Sequence, residues 1–270
     1  MSGEVMNEYT RKQIMEENRH QFIYTYNTEG RHMFLKDLET TYPILPDSTK
    51  PVAVYMKNFS LPLSQQINET INPEIVRLIA REFLEFSISE NIIRRMLEEE
   101  KINTSMSKIN NLLERINRLY GSKKEQQARS LEELKSILEE SRKMYSNYYI
   151  EYLQGDQSWF SNVSLKIPFI ESTYIAKKTK EILNIDSYYG LIFEIDEKIP
   201  LVSHQAINGF VTRRCNEDLS IKVATEPASW PTFYDLNGTL AENVHDYGTI
   251  EIDDSRKIYT KQIQNKIKGE

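Results

Sequence analysis

Hydrophobic positions along the chain fall into two textures. Short, mainly apolar runs occur in HQFIYTYN (residues 20–27), PVAVYMKNF (51–59), YYGLIFEID (188–196), LSIKVAT (219–225) and YGTIEID (247–253). Runs of this length, rich in β-branched and aromatic residues and bounded by turn formers, predict buried strands. HMFLKDLETTYP, FIESTYIAKKTKEILNI and LVSHQAINGFVTRRC carry helical spacing between them. NTEGR reads as the turn between the first strand and its helix. Strands alternating with helices predict an α/β sheet.

From Asn72 to about Leu153 the texture is helical, with glycine only at Gly121 and proline only at Pro73. Ile102, Met106, Ile109, Leu113, Ile116 and Tyr120 follow an alternating four–three spacing, a heptad seam. Leu131, Leu134, Leu138, Tyr145 and Tyr148 continue a similar seam beyond Gly121. Two seams flanking a glycine turn predict an antiparallel coiled-coil hairpin, its stripes packed on each other or on the α/β body, with a projecting arm that contacts a partner as the alternative. Residues 1–19 are polar and read as a frayed helix. The chain therefore divides into 1–71, the first part of an α/β core; 72–153, a helical insertion; 154–255, the rest of the core; and 256–270, a basic tail.

Composition narrows the picture. The 270 residues are 39% hydrophobic with a net charge of −6, so no global basic field points to nucleic acid. The N-terminus lacks the apolar core of a signal peptide, and no run approaches the ~20 apolar residues of a membrane span. Cys215 is the sole cysteine, which excludes an internal disulfide. A cytoplasmic protein without membrane contact is the expectation. His20, His32, His204 and His245 have no zinc-ligand spacing. Trp230 and Phe233, beside Pro231, read as loop packing rather than a base-stacking platform.

Two stretches carry candidate chemistry. A P-loop follows a strand and opens a helix, as G-x-x-x-x-G-K-[ST]; its backbone and lysine bind phosphates and its hydroxyl meets magnesium. After HQFIYTYN, Gly30 takes the second glycine position, Arg31 the lysine position and His32 the Ser/Thr position, with Thr25 at the first glycine. Arginine contacts phosphate without being the compact point charge a P-loop uses. The second stretch is LIFEIDEKIP. Ile192, Phe193 and Ile195 precede Asp196-Glu197, an apolar strand delivering two acids, as in Walker B. There the aspartate organises magnesium and the glutamate orients water. Glu194 interrupts the run, and burying it without a partner is costly.

The order of elements after Asp196-Glu197 resembles the core of bacterial AAA+ ATPases related to the origin-recognition family. The residues carrying the resemblance are Gln205, Asn208 and Arg213 on the next helix, Ser220-Ile221-Lys222 and Thr225 on the next strand, then Gly238, His245-Asp246-Tyr247 and Ile250 to Asp253. It implies a P-loop NTPase-like parallel sheet flanked by helices, with the helical insertion between the first two strands and the Walker B-like strand. It further implies ATP and Mg2+ as ligands, with Asp196 holding the metal and Asp196 and Glu197 as the catalytic pair. Gly30, Arg31, His32 and Thr225 would contact nucleotide, and Arg213 or Arg214 would reach a neighbouring subunit. Arg31 and His32 depart from the P-loop pattern, so the implied protein is a degenerate member, an ATPase with weak or lost chemistry. Such relatives work in assemblies, often in phage defence, so self-association or a protein partner through the hairpin, and DNA, follow as expected partners.

Two other classes compete. One is a non-enzymatic helical scaffold. The other is a magnesium nuclease of the PD-(D/E)xK type, with Asp186 and Asp196-Glu197-Lys198 as its acids and lysine.

Overall fold

A computed structural model of the chain describes residues 3–25, 28–56, 59–62, 72–98, 106–120, 127–155, 170–195, 199–212, 217–226, 229–242 and 245–252. These form an α/β fold around a five-stranded, all-parallel sheet in the order β2-β3-β4-β1-β5. The strands are β1 (His20–Thr25), β2 (Val52–Met56), β3 (Tyr189–Glu194), β4 (Leu219–Thr225) and β5 (Tyr247–Ile252). The helices are α1 (Gly3–Glu16), α2 (Thr28–Thr41), α3 (Pro73–Glu98), α4 (Met106–Tyr120), α5 (Leu131–Leu153), α6 (Ser172–Leu183) and α7 (Leu201–Val211).

Strand alternation sorts the sheet residues into two cores. Ile23, Ala53, Ile192, Ala224 and Ile250 pack with Ile14 and Met15 of α1 and Phe34, Leu35 and Leu38 of α2. Phe22, Val54, Leu191, Phe193, Ile221 and Val223 pack against α3, α5, α6 and α7 on the other face. Burial on both faces explains why the strands read as continuous apolar runs. The topology explains the division of helices. Parallel crossovers are right-handed, and only the β1-to-β2 connection runs towards β2; the later crossovers run back the other way. So α2 lies on one face and the later helices on the other. The carboxyl end of β1 is a topological switch point, where open α/β sheets bind ligands.

The N-terminal segment is docked rather than frayed. Ile14 and Met15 are completely buried. The β4 side chains Ser220 and Lys222 fasten the chain that follows. Ser220 Oγ donates to the Arg19 carbonyl at 2.7 Å, and the buried Lys222 ammonium donates to the Glu17 and Arg19 carbonyls at 2.9 and 2.8 Å. A cation beside a helix C-terminus is favourably placed. Gly190 admits this helix: a Cβ there would lie 2.7 Å from Met15 Cε.

The helical layer pairs differently from the seam prediction. α5 packs chiefly along α3, antiparallel, with Phe86 stacked on Tyr145 at 5.5 Å and Arg142 on Glu90 at 2.7 Å. The Asn72 N–H at the start of α3 donates to Tyr152 Oη near the end of α5 at 2.8 Å. α4 rests through Leu112, Leu113 and Ile116 against α6 and α5. A periodic stripe specifies a face, not the face's partner, and the longer stripe of α3 with its two phenylalanines takes α5. Gly121 and the turn assigned to it lie outside the described residues. The sheet itself draws β1 and β2 from residues 1–71 and β3 to β5 from 154–255. No helix among the described residues is long and apolar enough to cross a membrane.

α3 carries two buried acids, one of which ties it to α6. Glu85 accepts from Ser172 N at 2.8 Å and Ser172 Oγ at 2.6 Å, capping α6. Glu82 beside it is 2% exposed and is held by Arg81 at 3.0 Å. Burial raises its carboxyl from the ordinary 4.5 to about 7. The folded chain therefore binds a proton that the unfolded chain has already lost, and stability falls as pH rises from about 4.5 to 7. Glu82→Gln is expected to flatten that slope and to gain about 2–3 kcal/mol at pH 8, with little change at pH 4.5. Urea unfolding at both pH values checks this.

Candidate functional site

The two stretches singled out in the sequence meet at the carboxyl end of the sheet. The connection from β1 to α2 is Tyr26-Asn27, two residues that lie outside the described set. The expected NTEGR turn is shorter than its sequence suggested, and α2 begins at Thr28, so Gly30, Arg31 and His32 sit in its first turns. A glycine inside a helix costs about 1 kcal/mol. Burial of Arg31, Phe34, Leu35 and Leu38 along one side of α2 outweighs it.

Arg31 is 1% exposed and is the largest fully buried side chain among the described residues. Its guanidinium donates to the Ile195 carbonyl at 3.0 Å and to Thr25 Oγ1 at 3.5 Å. Its Nε lies 3.7 Å from Glu194 Oε1. Glu194, the last residue of β3, points to the α2 face, as alternation from Ile192 requires. Its other oxygen, Oε2, accepts from the Tyr55 hydroxyl and lies 2.9 Å from His32 Nδ1. His32 Nδ1 is also 2.8 Å from Tyr55 Oη. The acid that interrupted the apolar run is thus buried with a guanidinium, a phenol and an imidazole around it.

A second ring of charge fixes Tyr55. Glu39 of α2 accepts from the Tyr55 N–H at 3.0 Å, and Arg94 of α3 donates to the Tyr55 carbonyl at 3.2 Å and to Glu39 at 2.9 Å. β2 is an edge strand, and these side chains occupy its outward backbone groups, one way proteins protect an edge.

Other sequence candidates fall elsewhere. Asp196 and Glu197, with Arg213 and Arg214, lie outside the described residues. The flanking Ile195 sits at the exit of β3, its N–H on the Ala224 carbonyl at 2.9 Å and its C=O on Arg31. Thr225 ends β4 beside Tyr24 of β1. Alternation puts it on the Val223 face, opposite to Glu194, and its hydroxyl donates to the Glu226 carbonyl at 3.3 Å. Ser220 and Lys222 fasten the α1–β1 junction. Asn208 of α7 donates to the Thr232 and Tyr234 carbonyls, both at 3.0 Å, stapling the loop after β4. Trp230 packs edge-on to Phe22 and His204, and Phe233 stacks on Tyr247. Burial lowers the His204 pKa. No group of three or more metal-ligating side chains occurs among the described residues.

Sequence reasoning missed Tyr55 and the Arg31–Glu194 partnership. The signal was present for the second: a lone acid in a buried strand requires a cation, and Arg31 follows a buried strand. Nothing marked Tyr55. Comparisons with protein-family models, curated proteins and solved structures found no match.

Breaking a buried ion pair on one side leaves an uncompensated charge. Arg31→Met and Glu194→Leu are each expected to lose about 3–5 kcal/mol of stability, whereas the double variant loses less than either. A urea-unfolding double-mutant cycle measures the coupling; additive losses would show that the two side chains act independently.

Proposed function

We propose that this chain is a nucleotide-binding subunit of the AAA+ kind, a pseudo-ATPase resembling the origin-recognition-like branch and working in a multi-subunit assembly. The observation that carries this reading is the contact of Arg31, on the helix that follows β1, with Glu194 and the Ile195 carbonyl at the carboxyl end of β3. In P-loop ATPases the junction after the first strand supplies the phosphate-binding cation, and the Walker B strand supplies the magnesium acids. Here the corresponding two elements converge at the switch point of a parallel sheet. The strand order adds support, since β4, the strand after the Walker B-like one, lies between β3 and β1.

The loss of hydrolysis follows from the same residues. The cation at the lysine position already engages an internal carboxylate. Only two residues separate β1 from α2, too few to wrap a phosphate as the longer P-loop does. ATP and Mg2+ are the proposed ligands, with Asp196 towards the metal, Glu197 beside it, and Arg213 or Arg214 towards a neighbouring subunit. The helical layer is the proposed contact for a protein partner; a DNA-linked or defence role comes from the resemblance alone.

Geometry disfavours the nuclease. Asp186 N donates to the Ser48 carbonyl before β3 begins, whereas residues 196–198 follow its end. Asp186 thus precedes a six-residue strand with a rise of roughly 20 Å, a poor context for an acid that must share one magnesium with residues beyond the strand's far end.

Calorimetry with Mg·ATP on the full chain tests the proposal. Wild type is expected to bind saturably and to release no phosphate above background. Asp196→Ala is expected to weaken binding roughly tenfold with magnesium present and to change nothing in EDTA. No binding by wild type would sink the proposal and leave the helical scaffold.

A further inference from the structure

The inference rests on the nucleotide-binding reading and concerns what fills the site in its absence. Glu194 is a two-oxygen anion set against the buried Arg31 guanidinium. The Tyr55 hydroxyl and His32 Nδ1 close around its second oxygen. A guanidinium with an imidazole N–H beside it is a set that binds a phosphate oxyanion through charge-assisted hydrogen bonds. Thr25 Oγ1, on the far side of Arg31, holds the guanidinium in place at the switch point.

We infer that Glu194 is an internal competitor for phosphate: its carboxylate takes the place of the phosphate group, Tyr55 is the positioning residue that holds it there, and phosphate binds by displacing it. With the carboxylate in place, an incoming phosphate meets a like charge at hydrogen-bond range, and like charges oppose one another most strongly where water is excluded. With the carboxylate displaced, Arg31 is a buried cation that an anion must neutralise. The way in lies on the His32 side, where the imidazole side chain is 35% exposed while Arg31 and Glu194 are closed off. The neighbouring cations do not compete for the position: Arg94 and Arg95 engage Glu39 and Glu98.

Thermal unfolding of the full chain, titrated with inorganic tripolyphosphate at constant ionic strength, tests this. Glu194→Gln is expected to be less stable than wild type in chloride and to recover with tripolyphosphate. Its apparent affinity should be roughly tenfold or more above wild type. Adding Arg31→Gln should abolish that gain, which separates specific binding from the general stabilisation that phosphates give. Tyr55→Phe keeps every charge and removes one of the hydrogen bonds that hold the carboxylate, so it should tighten tripolyphosphate binding about threefold; it decides the matter alone where Glu194→Gln does not fold. Equal affinity in wild type and both variants, or a gain that survives the loss of Arg31, overturns the inference. Mg·ATP binding by wild type that Glu194→Gln leaves unchanged overturns it too, while the nucleotide reading stands. Tripolyphosphate rescue with no ATP binding by any variant overturns the nucleotide reading and leaves Glu194 gating a phosphate that is not a nucleotide.

Discussion

A guanidinium and a carboxylate buried together constrain everything around them. Neither Arg31 nor Glu194 is tolerable alone at its depth, because an unpaired buried charge destabilises a fold by several kcal/mol. Each side chain therefore fixes the other's element. Arg31 must sit on the first turns of a helix lying on the Ile192 face of the sheet, and β3 must end with its acid on that same face. The two-residue connection after β1 is consistent with this demand: α2 starts early enough to bring Arg31 down onto the strand ends. A longer loop would leave the guanidinium in solvent and the carboxylate without its cation.

The same constraint explains why the fold has two unequal cores. Among the described residues α2 is the one crossover helix on its face, and α1 completes the cover there, with Ile14 and Met15 beside Phe34 and Leu35. The opposite face carries α3, α5, α6 and α7 and most of the apolar burial. Polar fastenings compensate on the thinner face: Lys222 and Ser220 hold the α1–β1 junction, and Arg31, Glu194, His32 and Tyr55 close the sheet's carboxyl end. Lys222 and Ser220, read as part of a nucleotide-family pattern, thus have a sufficient structural explanation.

What the sequence disclosed follows from the range of the interactions involved. Strands buried on both faces announce themselves locally, and all five apolar runs became strands. Long helices with regular stripes were equally plain. Pairing was not: the heptad seams of α4 and α5 suggested each other, yet α5 lies on α3, because a stripe carries no address. The N-terminal helix looked frayed because it is mostly polar, with Ile14 and Met15 as its last apolar residues, and the anchors on β4 that hold the chain after it lie some two hundred residues away. At the site, Gly30, Arg31, His32 and the end of β3 were singled out from the sequence as candidate positions. Their mutual contact was not, since it depends on the register between α2 and β3. Tyr55 was invisible because a tyrosine in a strand ordinarily needs no further explanation.

Tyr55 is where the helical layer and the strand ends become one mechanical unit. Its backbone is held from outside the sheet by Glu39 and Arg94, and its hydroxyl reaches inward to Glu194. Arg94 and Arg95 lie near the C-terminal end of α3, the helix that also carries α5 and caps α6 through Glu85. Hydrogen bonds thus link that end of α3 to the Tyr55 peptide, and the Tyr55 hydroxyl links it to the carboxylate beside Arg31. The path is short, contiguous and made of hydrogen bonds between charged and polar groups, the kind of network in which two arrangements can be separately stable.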